Sequence, residues 1–200
     1  MKADNGRPGF DRRMSREEIN LLPINGYQGA ISLVHSAEDL DRVVEELAGE
    51  PILGFDTETR PAFVKGQQYP PALIQLATAS RVYIFQLHQL KFRQRLRRIL
   101  ASPGIVKAGV AVGQDVRQLQ ALEPFNAAGF VDLADLAQRA GIKNHGLRGM
   151  AAVLLGFRIV KGPRKSNWAK ETLTEAQIRY AATDAWVSRE LYLRLLELGA

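Results

Sequence analysis

The spacing of apolar residues along the chain predicts an alternation of strands and helices. Short apolar runs predict strands at residues 30–35, 52–56, 72–77, 82–87 and 105–112. Helical spacing behind capping residues predicts helices from Ser15, from Ser36, over 92–100, from about 114, over 133–140, over 146–155 and over 174–198. Because antiparallel-compatible strands come first and a strand–helix crossover and helices follow, we expect an α/β fold whose mixed sheet has helices on both faces.

Length and composition narrow the class of protein. The 200 residues suffice for one domain with a full core. The absence of cysteine excludes disulfides, thiolate metal sites and a cysteine nucleophile, and it fits a cytoplasmic location. The N-terminus lacks the apolar segment of a secretory signal, and no apolar run is long enough for a membrane span, so we expect no membrane partner. The formal net charge of +6 favours nucleic acid as partner, with a basic but merely solvated surface as the alternative.

Acidic residues stand at three places in the chain where they are not expected to contribute to the stability of the fold. Asp56 and Glu58 are two apart at the end of a predicted strand, so their side chains point to one face. Asp115 follows a later strand, and Tyr180 and Asp184 share one face of the last helix. Carboxylates so close repel each other unless a cation lies between them, which indicates a divalent metal site. Taken singly, Asp56 and Glu58 are better explained as solvated acids and Asp115 as a helix-start acid, and a tyrosine–aspartate hydrogen bond is the other explanation for Tyr180 and Asp184.

The order of these residues along the chain is more specific than any one of them. It runs D-x-E, then D, then Y-x-x-x-D, and its members are Asp56, Glu58, Asp115, Tyr180 and Asp184. This order resembles the DEDD superfamily of 3′–5′ exonucleases, in its tyrosine subgroup. Further blocks resemble Werner-type exonuclease domains and the related RNase D family, at residues 107–110, 131–137, 166–168, 173–177 and 180–185. The resemblance predicts an exonuclease domain at 30–200, after an N-terminal extension at 1–29 that contains a short helix.

The resemblance implies a fold, a cofactor and a division of roles. The fold is ribonuclease H-like, a mixed sheet of five or six strands flanked by helices. The cofactors are two Mg²⁺ or Mn²⁺ ions, with Asp56 bridging both and with Glu58 and Asp184 holding the ion that activates water. Asp115 supports the second ion through water, and Tyr180 orients the attacking water. A tyrosine with a pKa of about 10 is a poor base at neutral pH, which agrees with a positioning role.

The basic segment at residues 158–170 is the first candidate for binding the substrate strand. It is interrupted by glycine and proline, contains no acid and precedes the last helix. Arg164 and Lys165 are its candidate phosphate contacts. Trp168 is a candidate for stacking on a base, although general burial tendencies favour packing in the core.

Other candidate contacts lie elsewhere in the chain. Thr57, inside the D-x-E motif, and Lys65, in the polar loop after it, are candidates because of their place beside the carboxylates. Residues 91–98 form a second basic cluster, for which a solvated helix face is at least as good an explanation. Asp132 follows a short apolar run near the other acids and is a candidate to support the ligands without binding metal.

The sequence therefore predicts a metal-dependent 3′–5′ exonuclease that removes nucleoside 5′-monophosphates from nucleic acid with a free 3′ end. DNA is favoured over RNA, since the blocks at 107–110 and 181–185 resemble the Werner-type branch more and no accessory helical domain of the RNase D kind is present. The alternatives are an RNase D-like exoribonuclease, a non-catalytic nucleic-acid-binding module and a small-molecule phosphohydrolase. The complete motif set argues against the module, and the positive charge argues against the phosphohydrolase.

Overall fold

A computed structural model describes residues 7–62, 64, 66–67, 69–90, 93–160, 162 and 166–200. Its helices are α1 (Arg16–Leu21), α2 (Ala37–Ala48), α3 (Arg93–Leu100), α4 (Val112–Leu122), α5 (Leu133–Arg139), α6 (Leu147–Met150), which Ala151–Leu155 continues as a π-helix, and α7 (Glu175–Glu197). Its strands are β1 (Ala30–Val34), β2 (Ile52–Thr59), β3 (Pro71–Ala77), β4 (Arg81–Gln86), β5 (Val106–Gly109) and β6 (Phe130–Asp132). Within these described residues, no helix combines the length and the apolarity needed to cross a bilayer.

The strands form one mixed sheet in the order β1-β4-β3-β2-β5-β6. Antiparallel pairing joins β2 to β3 and β3 to β4, whereas β1 runs parallel to β4 and both β2 and β6 run parallel to β5. Helices α2, α3 and α4 pack on one face, and α5 and α7 pack on the other. The predicted α/β sheet with helices on both faces is confirmed, and its six strands are the larger of the two expected numbers.

Two strand ends differ from the prediction, and both concern the acidic residues. The predicted strand at 52–56 continues as β2 through Thr59, which pairs with Pro71 of β3, so the D-x-E motif lies inside the strand. The strand predicted to reach residue 112 ends at Gly109. Ala111 has a left-handed backbone conformation, with φ of 58°, and a strand cannot continue through such a residue. Helix α4 therefore begins earlier than predicted, at Val112.

The described part of the N-terminal extension, residues 7–29, packs against the C-terminal half of the chain. Helix α1 begins after Ser15 with the predicted capping box. Phe10 packs against the hydrophobic cluster that contains α5 and the second half of α7. The backbone N–H of Tyr27 donates a 3.1 Å hydrogen bond to the hydroxyl of Thr183 on α7. The extension thus contacts the helix that carries Tyr180 and Asp184.

Helix α7 crosses β2 at a distance that only glycine permits. A Cβ atom at Gly54 would lie 1.9 Å from the carbonyl oxygen of Ala185 and 2.8 Å from the backbone nitrogen of Arg189. Backbone atoms of a helix have no rotamer through which to move away. The residues of α7 over this part of the sheet are small and fully buried, as at Ala181 and Ala182. This contact brings α7 directly over the strand that carries the D-x-E motif.

We expect Gly54→Ala to destabilise the protein, since α7 and β2 must separate to admit a methyl group. Overpacking of this kind lowers the free energy of unfolding by about 1–3 kcal/mol, and by more where backbone must move. Urea unfolding of the wild type and the variant measures the change.

Gly113→Ala is the matched control for this substitution. A Cβ there would meet only the side chain of Arg117, at an ordinary 3.6 Å. Alanine in place of glycine in a helix is expected to stabilise by up to about 1 kcal/mol. A Gly54→Ala protein as stable as Gly113→Ala would contradict the close approach of α7 to β2.

Candidate active site

Three carboxylates meet where α7 passes over β2. Alternation along the strand places Asp56 and Glu58 on the same face as Gly54, which is the face that α7 covers. Asp184 comes from α7 itself and is only 6% exposed. One carboxylate oxygen from each of Asp56, Glu58 and Asp184 lies within 4.8 Å of the others. We call these three side chains the carboxylate cluster.

The electrostatics of the carboxylate cluster favour a bound cation. Burial, and then the charges of Asp184, Glu58 and Asp115, raise the pKa of Asp56 well above its usual value. A divalent cation among these oxygens would turn mutual repulsion into shared attraction. Carboxylate oxygens are also the ligands that hard cations such as Mg²⁺ and Mn²⁺ take in proteins. The donor set therefore fits a divalent metal ion.

Asp115, the fourth predicted ligand, lies outside the carboxylate cluster. It stands in the first turn of α4, and its carboxylate accepts a 2.6 Å hydrogen bond from the hydroxyl of Thr57. By alternation, Thr57 points to the opposite face of β2 from Asp56. Burial raises the pKa of Asp115, and the hydrogen bond from Thr57 opposes that rise. The role of Asp115 at a second ion stays a prediction, and so does a contact between Thr57 and nucleic acid.

A second aspartate holds the turn that positions Asp115. The carboxylate of Asp132 accepts a 3.2 Å hydrogen bond from the backbone N–H of Ala111, the residue with the left-handed conformation. The same oxygen accepts a 2.9 Å bond from the backbone N–H of Ala134 and so caps α5. Asp132 therefore supports the β5–α4 turn, which is consistent with the supporting role considered for it from the sequence.

Tyr180 has a ring that packing holds in place. It stands one helical turn before Asp184 on α7. A Cβ atom at Gly162 would lie 1.7 Å from the ring carbon Cδ2 of Tyr180, so the glycine backbone lies against the ring. The centroid of the Trp168 ring lies 6.0 Å from the centroid of the Tyr180 ring. These contacts confine the ring of Tyr180.

Trp168 is a core residue, which corrects its assignment as a candidate nucleic-acid contact. Its side chain is 0% exposed and packs among residues of β3, β4 and α7. A ring without exposed surface offers no face to a base. The side-chain amide of Gln177 donates hydrogen bonds to the hydroxyl of Ser166, at 2.7 Å, and to the carbonyl of Asn167, at 3.4 Å. Residues 166–168 therefore help to anchor α7.

The remaining candidate contacts with nucleic acid divide into two groups. Three lie outside the part of the chain that the structure describes, and their roles stay predictions: Lys65, Arg164 and Lys165. The others belong to the basic cluster at 91–98, where α3 arginines form salt bridges with acids elsewhere in the protein: Arg95 with Asp41, Arg97 with Glu123 and Arg98 with Glu45. These pairs neutralise much of the positive charge on α3, which favours the solvated helix face as the explanation.

Comparison with known proteins gives the relatives of the chain. Residues 31–199 match a family model described as a 3′–5′ exonuclease. The mouse bifunctional 3′–5′ exonuclease/ATP-dependent helicase WRN is 33% identical over 190 residues, which cover 89% of this chain and 13% of that protein. Ribonuclease D of Gluconacetobacter diazotrophicus is 36% identical over 169 residues, which cover 82% of this chain and 42% of that protein. The chain thus spans less than half the length of either relative.

A solved structure shares the fold. The crystal structure of the EXO domain of Nibbler from Aedes aegypti matches with a TM-score of 0.79. The match covers 87% of this chain and 92% of that chain at 24% sequence identity. It supports the mixed sheet flanked by helices that the described strands form.

Without metal, we expect the stability of the protein to fall as the pH rises. The pKa of an unfolded aspartate is about 3.9, and the pKa of Asp56 in the folded protein is raised well above its usual value. The folded state holds that proton more tightly, so its stabilisation is complete below about pH 4 and is lost as the pH rises through the folded pKa. Urea unfolding in EDTA as a function of pH measures the decline, which Asp56→Asn should weaken.

Glu38→Gln removes an exposed acid of α2 and serves as the control, with the decline expected to remain. Mg²⁺ or Mn²⁺ added at neutral pH should raise the unfolding midpoint of the wild type far more than that of Asp56→Asn. Identical pH profiles for wild type and Asp56→Asn in EDTA would contradict the raised pKa. An equal response of both proteins to metal would contradict the metal site.

Proposed function

Because the chain belongs to the 3′–5′ exonuclease domain family, we propose that it is a metal-dependent exonuclease of the DEDD type. It removes nucleoside 5′-monophosphates from the 3′ end of nucleic acid. The observation that carries the proposal is the convergence of Asp56, Glu58 and Asp184 within 4.8 Å. A module that only bound nucleic acid would gain nothing from clustered carboxylates, because they repel phosphate.

The cofactors in this proposal are two divalent ions, Mg²⁺ or Mn²⁺. Asp56, Glu58 and Asp184 would hold the first ion, and Asp56 together with Asp115, the latter through water, would hold the second. When bound, the ions admit the phosphate, acidify the attacking water and stabilise the leaving 3′ oxygen. The type and spacing of the oxygens of Asp56, Glu58 and Asp184 support the site of the first ion.

Tyr180 contributes position in this proposal. A phenol with a pKa of about 10 is a poor base at neutral pH. Its ring is confined by Gly162 and by Trp168, which limits where its hydroxyl can lie, and the residue stands one helical turn from Asp184. A hydroxyl confined in this way orients a water by hydrogen bonding, which lowers the entropic part of the barrier.

We propose DNA with a free 3′ end as the preferred substrate, with RNA as the second candidate. The net charge of +6 supports nucleic acid in general. Resemblance of the blocks at 107–110 and 181–185 to the Werner-type branch favours DNA, whereas the identity with an RNase D keeps RNA in view. The carboxylates do not distinguish the two polymers, because discrimination requires a contact or a clash with the 2′-hydroxyl.

A 5′-labelled oligonucleotide should shorten stepwise from its 3′ end when Mg²⁺ or Mn²⁺ is present, and EDTA should stop the reaction.

Asp184→Asn should reduce turnover to a few per cent or less, because it removes a charged ligand. Tyr180→Phe should lower kcat by about 10²- to 10⁴-fold with little change in KM, since only the positioning hydroxyl is lost. Gel analysis of the products and initial rates measure these effects.

Tyr192→Phe, which removes a hydroxyl from the same helix next to a different hydrophobic cluster, is the matched control and should keep full activity. Cleavage that begins at the 5′ end or inside the strand would contradict the proposed polarity. Substantial turnover by Asp184→Asn would contradict the metal site, and an unchanged kcat of Tyr180→Phe would make Tyr180 merely structural.

Matched DNA and RNA oligonucleotides of one sequence should differ in kcat/KM, with the DNA degraded faster. Single-stranded DNA and duplex DNA with a recessed 3′ end are both expected to be substrates, because a few frayed nucleotides suffice to reach the carboxylates. A tenfold preference for RNA would reverse the choice of polymer and leave the exonuclease proposal intact.

A further inference from the structure

A cleft of about 280 Å³ opens at the edge of the sheet where β2, the strand that carries Asp56 and Glu58, ends. The C-terminal ends of β2 and β4 and the N-terminal end of β3 meet there, as their pairing requires. Arg60, which follows β2 directly, lines the cleft together with Tyr69, Pro71, His88 and Ala169. The exonuclease motifs contain neither Arg60 nor Tyr69.

The cleft has a flat aromatic and cationic wall. The guanidinium carbon of Arg60 lies 4.7 Å from the centroid of the Tyr69 ring, so the two groups form a cation–π pair. The Arg60 side chain is exposed, and Tyr69 is half-buried. None of the described residues that line the cleft is acidic. Among the described residues no carboxylate forms a salt bridge with Arg60, in contrast to the arginines of α3.

The cleft is continuous with the candidate active site along the chain on two sides. On one side, Arg60 stands two residues after Glu58 of the carboxylate cluster. On the other side, Ala169 follows Trp168, whose ring lies against that of Tyr180. We therefore expect a strand whose 3′ end reaches the carboxylates to run close to this cleft.

We propose that this cleft binds a nucleobase of the substrate strand, which stacks on the Arg60–Tyr69 pair. The inference rests on the proposed function, which supplies the strand. Aromatic rings and guanidinium planes are the surfaces on which unpaired bases stack in proteins. The apolar walls exclude water from the base, and the charge of Arg60 attracts the phosphate next to it. A free anion would interact with the charge of Arg60 but would not stack on the ring of Tyr69.

A walk of single abasic sites along a 5′-labelled DNA oligonucleotide tests the proposal. Binding is measured by fluorescence anisotropy in EDTA, and kcat and KM are measured with Mg²⁺. For the wild type, an abasic site at one position near the 3′ end should weaken binding by about 5- to 150-fold, the range typical of one stacked base. Tyr69→Leu should weaken binding of the intact oligonucleotide and remove the dependence on that position. Tyr69→Phe, which keeps the ring, should behave as the wild type.

Arg60→Gln should weaken binding and reduce the slope of log affinity against log salt by about 0.7, as expected for one phosphate contact on a single strand. Arg42→Gln, which removes an exposed arginine of α2 that is paired with Asp39, is the matched control and should change neither quantity. Thermal unfolding of each variant shows whether it is folded before binding is compared.

The possible outcomes separate this inference from the proposed function. If the wild type digests DNA and the KM values of Tyr69→Leu and Tyr69→Phe are equal, the proposal that the cleft binds a base is contradicted and the exonuclease proposal stands. Wild-type binding that no abasic position weakens would also overturn the cleft. Position-dependent binding that Tyr69→Leu abolishes, without release of nucleotides in Mg²⁺ or Mn²⁺, would support the cleft and contradict the proposed function.

Discussion

The contact between Gly54 of β2 and the backbone of α7 is the constraint on which the candidate active site depends. The carbonyl of Ala185 occupies the space where a Cβ of Gly54 would be. Asp184 precedes Ala185 on the helix, and Asp56 follows Gly54 by two residues on the same face of the strand. The close approach therefore brings the two carboxylates together. Any side chain at Gly54 would separate the helix from the sheet, and short aspartate side chains could not span the gap.

The same packing places like charges together in a partly buried site. Burial and neighbouring carboxylates raise the pKa of Asp56, so the ionised cluster is a local cost to the metal-free protein. That cost becomes an advantage when a divalent cation binds, because the ligands are already converged on rigid elements. Two further residues position Asp115. Thr57 donates a hydrogen bond to its carboxylate, and Asp132 holds the turn that precedes α4.

Local periodicity was sufficient to predict some of this site. Asp56 and Glu58 share a face because strand side chains alternate, and Tyr180 and Asp184 are one helical turn apart. The separation of Asp115 from the carboxylate cluster was beyond such reasoning. It depends on where β5 ends, and the left-handed turn at Ala111 is held by the hydrogen bond that its backbone N–H donates to Asp132, a residue distant in sequence. The pairing of Arg60 with Tyr69 likewise depends on how the loop between β2 and β3 returns to the sheet.

The role of Lys107 is another feature that the sequence alone does not predict. The lysine belongs to a block that resembles exonuclease domains, but the pattern of residues does not indicate that it is buried. In the structure its ammonium donates hydrogen bonds to the carbonyls of Ser102, at 2.7 Å, and Ile105, at 2.8 Å, and burial lowers its pKa to about 8. Lys107 thus closes the segment between α3 and β5. A positive charge in a nuclease motif is here part of the fold and not a contact for phosphate.

We propose that α7 and β2 together build a site for a divalent cation. Anomalous diffraction from crystals of the full chain grown with Mn²⁺ tests it most directly, because it locates the ion without reference to activity. We expect a manganese peak bonded to oxygens of Asp56, Glu58 and Asp184, and no such peak in crystals of Asp184→Asn. Manganese bound elsewhere on the protein, with these three carboxylates left without an ion, would contradict it.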